Sequence, residues 1–134
     1  RIQYVVTGDH HTCVQIEGFH DTAGLKCWGK NVNGQLGYED FEARGHDNRT
    51  MGDSLPFLDL GDGIRQKALQ IDAGGDVTCV VTRFEEVMCW GENSYGQLGT
   101  GDTYNRGGLP DTMGNDLPYV WVETNEYVST VVTS

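Results

Sequence analysis

Cys27-Trp28-Gly29-Lys30-Asn31-Val32-Asn33-Gly34-Gln35-Leu36-Gly37 and Cys89-Trp90-Gly91-Glu92-Asn93-Ser94-Tyr95-Gly96-Gln97-Leu98-Gly99 are two copies of one eleven-residue stretch. Eight of the eleven positions are identical, and an internal repeat of that quality decides the architecture before any other feature is read. The match runs outward on both sides. Upstream, Gly8-Asp9-His10-His11-Thr12-Cys13-Val14 aligns with Gly74-Gly75-Asp76-Val77-Thr78-Cys79-Val80. Downstream, Met51-Gly52-Asp53-Ser54-Leu55-Pro56-Phe57 aligns with Met113-Gly114-Asn115-Asp116-Leu117-Pro118-Tyr119.

Trp28 and Trp90, Met51 and Met113, and Pro56 and Pro118 are all separated by the same interval, whereas Cys13 and Cys79 lie farther apart. The first copy therefore carries four extra residues between its cysteines, read as a longer hairpin loop near residues 18–22. A period of about 60 exceeds that of helical repeats and suits one four-stranded unit with long connections. Tyr4-Val5-Val6-Thr7, Cys13-Val14-Gln15-Ile16, Leu25-Lys26-Cys27-Trp28 and Phe57-Leu58-Asp59-Leu60 are short β-type runs bounded by Gly, Asp and Asn. No segment holds the i, i+3, i+4 spacing of a long amphipathic helix, and at most Ile64–Leu69 forms a helical turn. The expected fold is all-β: two antiparallel units, residues 1–70 and 71–134, the second ending in a strand over Tyr127–Thr133.

With these positions laid out, the units resemble the repeats of the regulator of chromosome condensation family, whose pattern is Gly-x-x-x-Thr, a hairpin, then Trp-Gly-x-Asn-x-x-Gly-Gln-Leu-Gly. The Arg106-Gly107, Met113-Gly114 and Leu117-Pro118 stretch resembles a Cys-containing, secreted-type branch of it. The resemblance implies β-propeller blades, usually seven to a ring. Two such blades are open rather than closed within this chain. It carries no catalytic residue onto any position here, and no cofactor.

The chain holds 9 basic and 20 acidic residues, a formal charge of −11. A phosphate-tracking surface needs clustered Lys and Arg, so a nucleic-acid partner is excluded. No apolar run approaches the roughly 20 residues needed to span a bilayer. A start at Arg1 without an apolar leader fits a processed or excised piece, and the final Val131-Val132-Thr133-Ser134 reads as the opening of a third repeat.

Among the candidate functional residues the cysteines come first. Cys79 and Cys89 lie symmetrically about Phe84, so a hairpin turning near Phe84-Glu85 sets them opposite one another, at the roughly 4.5 Å Cα separation of a non-hydrogen-bonded pair. Cys13 and Cys27 are placed alike across the longer loop. Two bridges, Cys13–Cys27 and Cys79–Cys89, are the favoured reading and imply an extracellular or otherwise oxidising compartment. Free buried thiols, or zinc held with His10 and His11, are the alternatives, but Asp76 and Val77 replace those histidines in the second copy.

Trp28 and Trp90 read as packing between units rather than a sugar platform. The repeat core is completed by Gly34, Gln35, Leu36 and Gly37 and by Gly96, Gln97, Leu98 and Gly99, with glycines supplying positive-φ turns. Asn48-Arg49-Thr50 is a glycan acceptor sequon. Asp59-Leu60-Gly61-Asp62-Gly63 and Gly99-Thr100-Gly101-Asp102 lack the full ligand spacing of a calcium loop and read as turns. Asp9, His10, His11 and Thr12 form no recognisable catalytic set with Ser54 or Ser94, and no metal site or enzyme activity is expected. Open strand edges and blade faces invite self-association. The leading expectation is a non-enzymatic secreted structural or adhesive module, assembling head to tail. The runner-up is part of a seven-blade propeller that binds proteins or carbohydrate.

Overall fold

A computed structural model of the chain describes residues 1–18, 23–61 and 68–122. Among these residues six strands form two three-stranded antiparallel sheets. The first has the order β1 (Ile2–Thr7), β2 (His11–Ile16), β3 (Gly24–Gly29), and the second β4 (Ala68–Gly74), β5 (Val77–Thr82), β6 (Val87–Gly91). The units repeat even in their irregularity, because the register slips between Ile2 and Tyr4 and again, at the equivalent place, between Ala68 and Gln70. Leu69 belongs to β4, so the helical turn expected over Ile64–Leu69 does not reach it; residues 62–67 lie outside the described residues, as do the loop at 19–22 and the strand expected over Tyr127–Thr133.

The fourth run, Phe57–Leu60, is a correction to the sequence reading. Among the described residues it forms no ladder; a hydrogen bond from the Leu58 amide to the Leu25 carbonyl, 2.8 Å, ties it to β3. In the second unit the Val120 amide makes the same bond to Val87, 2.8 Å. Pro56 and Pro118, which lack a donor, sit just before these segments and discourage a longer ladder.

Cys13 faces Cys27 and Cys79 faces Cys89 in direct register, and each pair is joined by a disulfide. With the sulfurs consumed, none is a thiolate for zinc. The β5–β6 hairpin turns at Phe84-Glu85, where Glu85 adopts φ 63° and Thr82 Oγ1 accepts from the Phe84 and Glu86 amides.

The main core lies between the two sheets. Leu25, Leu36, Leu58, Leu60 and the Cys13–Cys27 pair come from the first unit, and Ile71, Val80, Met88, Trp90, Met113 and Leu117 from the second. A second cluster of Val77, Cys79, Val81, Val87, Cys89 and Leu98 occupies the opposite face of the second sheet. β5 is therefore covered on both sides, which explains why Val77-Thr78-Cys79-Val80-Val81-Thr82 is buried at every position rather than alternating. Tyr38 links β3 to the fourth segment: its hydroxyl accepts from the Cys27 amide (3.1 Å) and donates to the Pro56 carbonyl (2.7 Å). Burial pushes its pKa up to about 12.

Loops of the two units meet backbone to backbone. A Cβ on Gly107 (φ 101°) would lie 2.2 Å from the Gly34 carbonyl oxygen, and one on Gly34 (φ 77°) would lie 2.4 Å from the Gly108 nitrogen. Gly101 (φ 84°) has a similar backbone but open space around it. Gly101→Ala is expected to cost about 1–2 kcal/mol for its left-handed backbone alone, and Gly107→Ala at least ~2 kcal/mol more because its neighbours are main chain. Chemical unfolding of the two variants checks this, and equal losses would contradict the close approach.

Candidate interaction surface

Each Trp-Gly-x-Asn-x-x-Gly-Gln-Leu-Gly loop is held by its own side chains, in the same way twice. Asn31 Nδ2 donates to the Asp40 carbonyl (3.0 Å), Asp40 Oδ1 (3.1 Å) and the Glu42 carbonyl (3.1 Å), while its Oδ1 accepts from the Leu36 amide at 3.1 Å. Asn93 repeats this on Asp102, Tyr104 and Leu98. Gln35 Oε1 accepts from the Asn33 amide, and Gln97 Oε1 from the Tyr95 amide, both at 2.9 Å. Short polar side chains thus satisfy the turn's main chain, as their residue types suggest.

A clasp that the sequence reading passed over completes each loop. Arg44 makes a bidentate pair with Asp40 (2.9 and 3.0 Å), and Arg106 with Asp102 (2.8 and 2.9 Å). Asp-x-x-x-Arg-Gly occurs at 40–45 and again at 102–107, one repeat later, so the repeat itself was the signal that could have revealed it. Burial raises the Asp40 carboxyl, but hydrogen bonds from Arg44, the Glu42 amide and Asn31 outweigh it and hold the group below its ordinary value. Hydrogen bonding from Arg106 leads the interactions that hold Asp102 well below the usual carboxylate range. The Asp102 candidate of the calcium reading is thus occupied by an arginine. In the other candidate loop Asp59 accepts from the Gly61 amide in a turn, and Asp62 lies outside the described residues.

The junction between units centres on one carbonyl. Gln35 O accepts from Thr78 Oγ1 (2.9 Å) and from Trp90 Nε1 (3.1 Å), both in the next unit. His11 Nε2 lies 2.8 Å from Thr78 Oγ1; because that hydroxyl donates to Gln35, the imidazole is the donor. All four residues are at most 3% exposed. At the rim, Asp76 accepts from Asn33 Nδ2 (2.8 Å) and pairs with Lys30 Nζ (3.5 Å). The Glu39 amide donates to the Gly107 carbonyl (2.8 Å), and Glu39 Oε2 accepts from the Thr112 amide (2.9 Å). Trp90 is therefore a core residue of the junction, whereas its counterpart Trp28 is half-buried against Gly45.

Above the junction, Phe41, Thr103, Tyr104, Asn105, Gly108 and Leu109 line a groove of about 370 Å³. Phe41, Tyr104 and Leu109 are 51%, 75% and 58% exposed. The Phe41 ring lies over Gly108, where a Cβ would come within 2.2 Å of it. Asn48 is exposed, and the sequon hydroxyl of Thr50 accepts from the Gly45 amide and donates to the Asp47 carbonyl. Ser94 bonds Glu92, and the structure brings neither Ser54 nor Ser94 to a histidine among the described residues. No group of three His, Cys, Asp or Glu residues able to hold a metal occurs among them, and none of their helices is long and apolar enough to cross a membrane.

Thr78→Val keeps the side-chain volume but strips two buried hydrogen bonds, and is expected to cost about 2–3 kcal/mol. Thr12→Val, at the equivalent half-buried position, should change stability by less than about 0.5 kcal/mol. Denaturant titration of both compares them directly. Burial depresses the His11 pKa, against the opposing pull of Asp76 and Asp9. The folded state therefore favours the neutral ring, and stability is lost as pH falls below the unfolded value of about 6.5. Following the imidazole proton by NMR, and the unfolding midpoint between neutral and acid pH, checks the sign. A His11 midpoint above 6.5 would contradict it.

A family profile described as "Regulator of chromosome condensation (RCC1) repeat" matches residues 69–97. The ultraviolet-B receptor UVR8 of Arabidopsis thaliana is 36% identical over 109 residues, covering 79% of this chain and 21% of the receptor. The X-linked retinitis pigmentosa GTPase regulator of Mus musculus is 29% identical over 122 residues, 91% of this chain and 11% of that protein. The chain thus spans about a fifth or less of these relatives. Among solved structures, human WBSCR16 superposes with a TM-score of 0.59 at 23% identity, over 81% of this chain and 25% of that one. Prp20p from Saccharomyces cerevisiae, a structure described with its binding properties to Gsp1p and histones, gives 0.54 at 21% identity, over 73% and 20%. The closing loops, the junction lock and these likenesses agree: the chain is made of RCC1-like repeats, in the form of propeller-type blades.

Proposed function

We propose that this chain is a non-enzymatic, protein-binding segment of a propeller-type scaffold, and that the groove at Phe41, Tyr104 and Leu109 is where it binds. The observation that supports this reading is the contrast within the repeat. The positions that hold each loop, Asn31 and Asn93, Gln35 and Gln97, Asp40–Arg44 and Asp102–Arg106, recur unchanged from the first copy to the second, whereas Phe41 and Tyr104 stand opposite Thr103 and Glu42 in the alignment. Side chains that the architecture does not need, exposed and apolar around a groove, are the ones free to recognise a partner. The net charge of −11 and the exposed Glu42 beside Phe41 favour a segment with an apolar anchor flanked by Lys or Arg.

The two hairpin disulfides support an oxidising, extracellular-type compartment, and in that setting exposed Asn48 is a glycan acceptor. A second reading, an extended structural or adhesive array built by head-to-tail addition, is favoured by one observation: the junction residues of the second unit's trailing loop, above all Gln97 and Tyr95, are exposed.

Panning a random peptide library against the full chain tests the groove. Enriched peptides are expected to pair an aromatic or aliphatic anchor with basic flanks. Phe41→Asp should weaken them by about tenfold or more while leaving the unfolding midpoint nearly unchanged. Enrichment that ignores this substitution, or that shows no apolar anchor, would move the binding site elsewhere.

A further inference from the structure

Asn33-Gly34 is an asparagine followed by glycine, the only such pair in the sequence, and the second copy has Tyr95-Gly96 at the equivalent place. That dipeptide carries its own chemistry. Glycine has no Cβ to keep its amide nitrogen from swinging onto the carboxamide before it. The Gly34 nitrogen attacks Asn33 Cγ, the side-chain nitrogen leaves as ammonia, and a cyclic succinimide remains. Water then opens the ring at one carbonyl to give aspartate, or at the other to give isoaspartate, whose main chain is longer by a methylene. The sum is carboxamide plus water giving carboxylate plus ammonia, with no further reactant.

The docked units oppose the first step. Asn33 Nδ2 donates to Asp76 Oδ2 of the second unit at 2.8 Å, and the carboxamide oxygen lies 3.5 Å from Asn105 Nδ2. The Asn33 amide donates to Gln35 Oε1 (2.9 Å), and the attacking group itself, the Gly34 amide, donates to the Asn31 carbonyl (3.2 Å). Gly34 is buried, with the main chain of Gly107 and Gly108 so close that a Cβ on it would lie 2.4 Å from the Gly108 nitrogen. The carboxamide is therefore held towards the second unit. It cannot fold back onto Gly34 without giving up these bonds, and the backbone between them has no room to turn while the units are docked.

The product, by contrast, does not fit the docked arrangement. A carboxylate at this position has no donor for Asp76 and sets two anions in hydrogen-bond contact, where like charges repel. Lys30 Nζ, 3.5 Å from Asp76 Oδ2, is one cation for both. Isoaspartate adds a methylene to the main chain where the loop already touches Gly107 and Gly108.

We propose that Asn33 is a deamidation site gated by the junction: inert while the two units are docked, reactive once they part, and poorly able to redock as its product. A transient local opening is thereby converted into a lasting one, recorded as one added negative charge at the contact between units. The site is independent of the Phe41 groove and of any self-assembly.

The full chain, kept folded at physiological temperature and mildly alkaline pH, is sampled over weeks by ion exchange, with peptide mapping by mass spectrometry to locate the converted residue. Asn33 should convert at least about tenfold more slowly than in the same chain unfolded in urea. T78V removes a hydrogen bond across the junction and should raise the folded-state rate about tenfold or more, whereas T12V should leave it unchanged. Urea below the unfolding transition should raise the native chain's rate in the same direction, a measurement that does not depend on T78V folding. N33D stands for the aspartate product and should lower the unfolding midpoint. N33D/D76N exchanges donor and acceptor across the junction and should recover at least about half of that loss. Conversion at one rate in the folded and unfolded chains would overturn the gate. An N33D chain as stable as the native one would overturn the failure to redock.

Discussion

One main-chain oxygen, that of Gln35, holds the two units in their mutual orientation. It sits where both sheets' apolar residues meet, and a buried carbonyl without a partner costs on the order of 1–3 kcal/mol. Two donors from the following unit, Thr78 and Trp90, satisfy it. Apolar packing alone is tolerant of sliding and rotation. A carbonyl that must be met by an indole N–H and a hydroxyl, themselves fixed opposite each other on adjacent strands, admits one arrangement. The close approach of Gly34 to Gly107 and Gly108 follows from that arrangement, since any larger residue would push the loops apart before the hydrogen bonds close.

The loop carrying this oxygen does not depend on being covered. Asn93 and Gln97 hold the exposed loop with the bonds that Asn31 and Gln35 make in the buried one, at distances that agree within about 0.2 Å. The Asp–Arg clasp is likewise present in both. A unit therefore presents its trailing surface already shaped, and docking a neighbour requires little further ordering of the chain. The same self-sufficiency explains why repeats of this kind can be added serially: each contributes an intrinsic stability plus an interface with its neighbour.

Much of this was written in the sequence because the repeat is dense in residues with one physical job. Glycines mark the positive-φ turns, asparagine and glutamine satisfy loop backbones, and cysteines symmetrical about Phe84 predict the hairpin. The fourth run was harder. Phe57-Leu58-Asp59-Leu60 has strand-like composition, and nothing local distinguishes a paired strand from a segment that only touches the strand beside it; the deciding factor is what lies beside β3 in three dimensions. Trp28 and Trp90 hold the same repeat position, each between Cys and Gly, yet differ in burial, because burial depends on a neighbour supplied by another unit. The Asp–Arg clasp was legible from its recurrence in register with the repeat, although neither residue type is diagnostic alone.

The division between constant and variable positions carries the functional argument. Where the two units agree, the residues make turns, pair strands or lock the junction, and a substitution there is answered by stability. Where they disagree, the alternatives are chemically unlike: Lys26 against Met88, Lys30 against Glu92, Asn33 against Tyr95, Phe41 against Thr103, His10 against Asp76. Met88 is buried in the junction core, whereas Lys26 is half-buried, donates to the Gly52 carbonyl and lies over the Phe57 ring, as befits a face without that neighbour. Apart from Lys26 and Met88, which lie on paired strands, these differences gather at the units' corners and at the groove above the junction. A scaffold whose interior is fixed by hydrogen-bonded loops can vary those sites at little cost to folding, so recognition is set by the residues in which each blade departs from its neighbour.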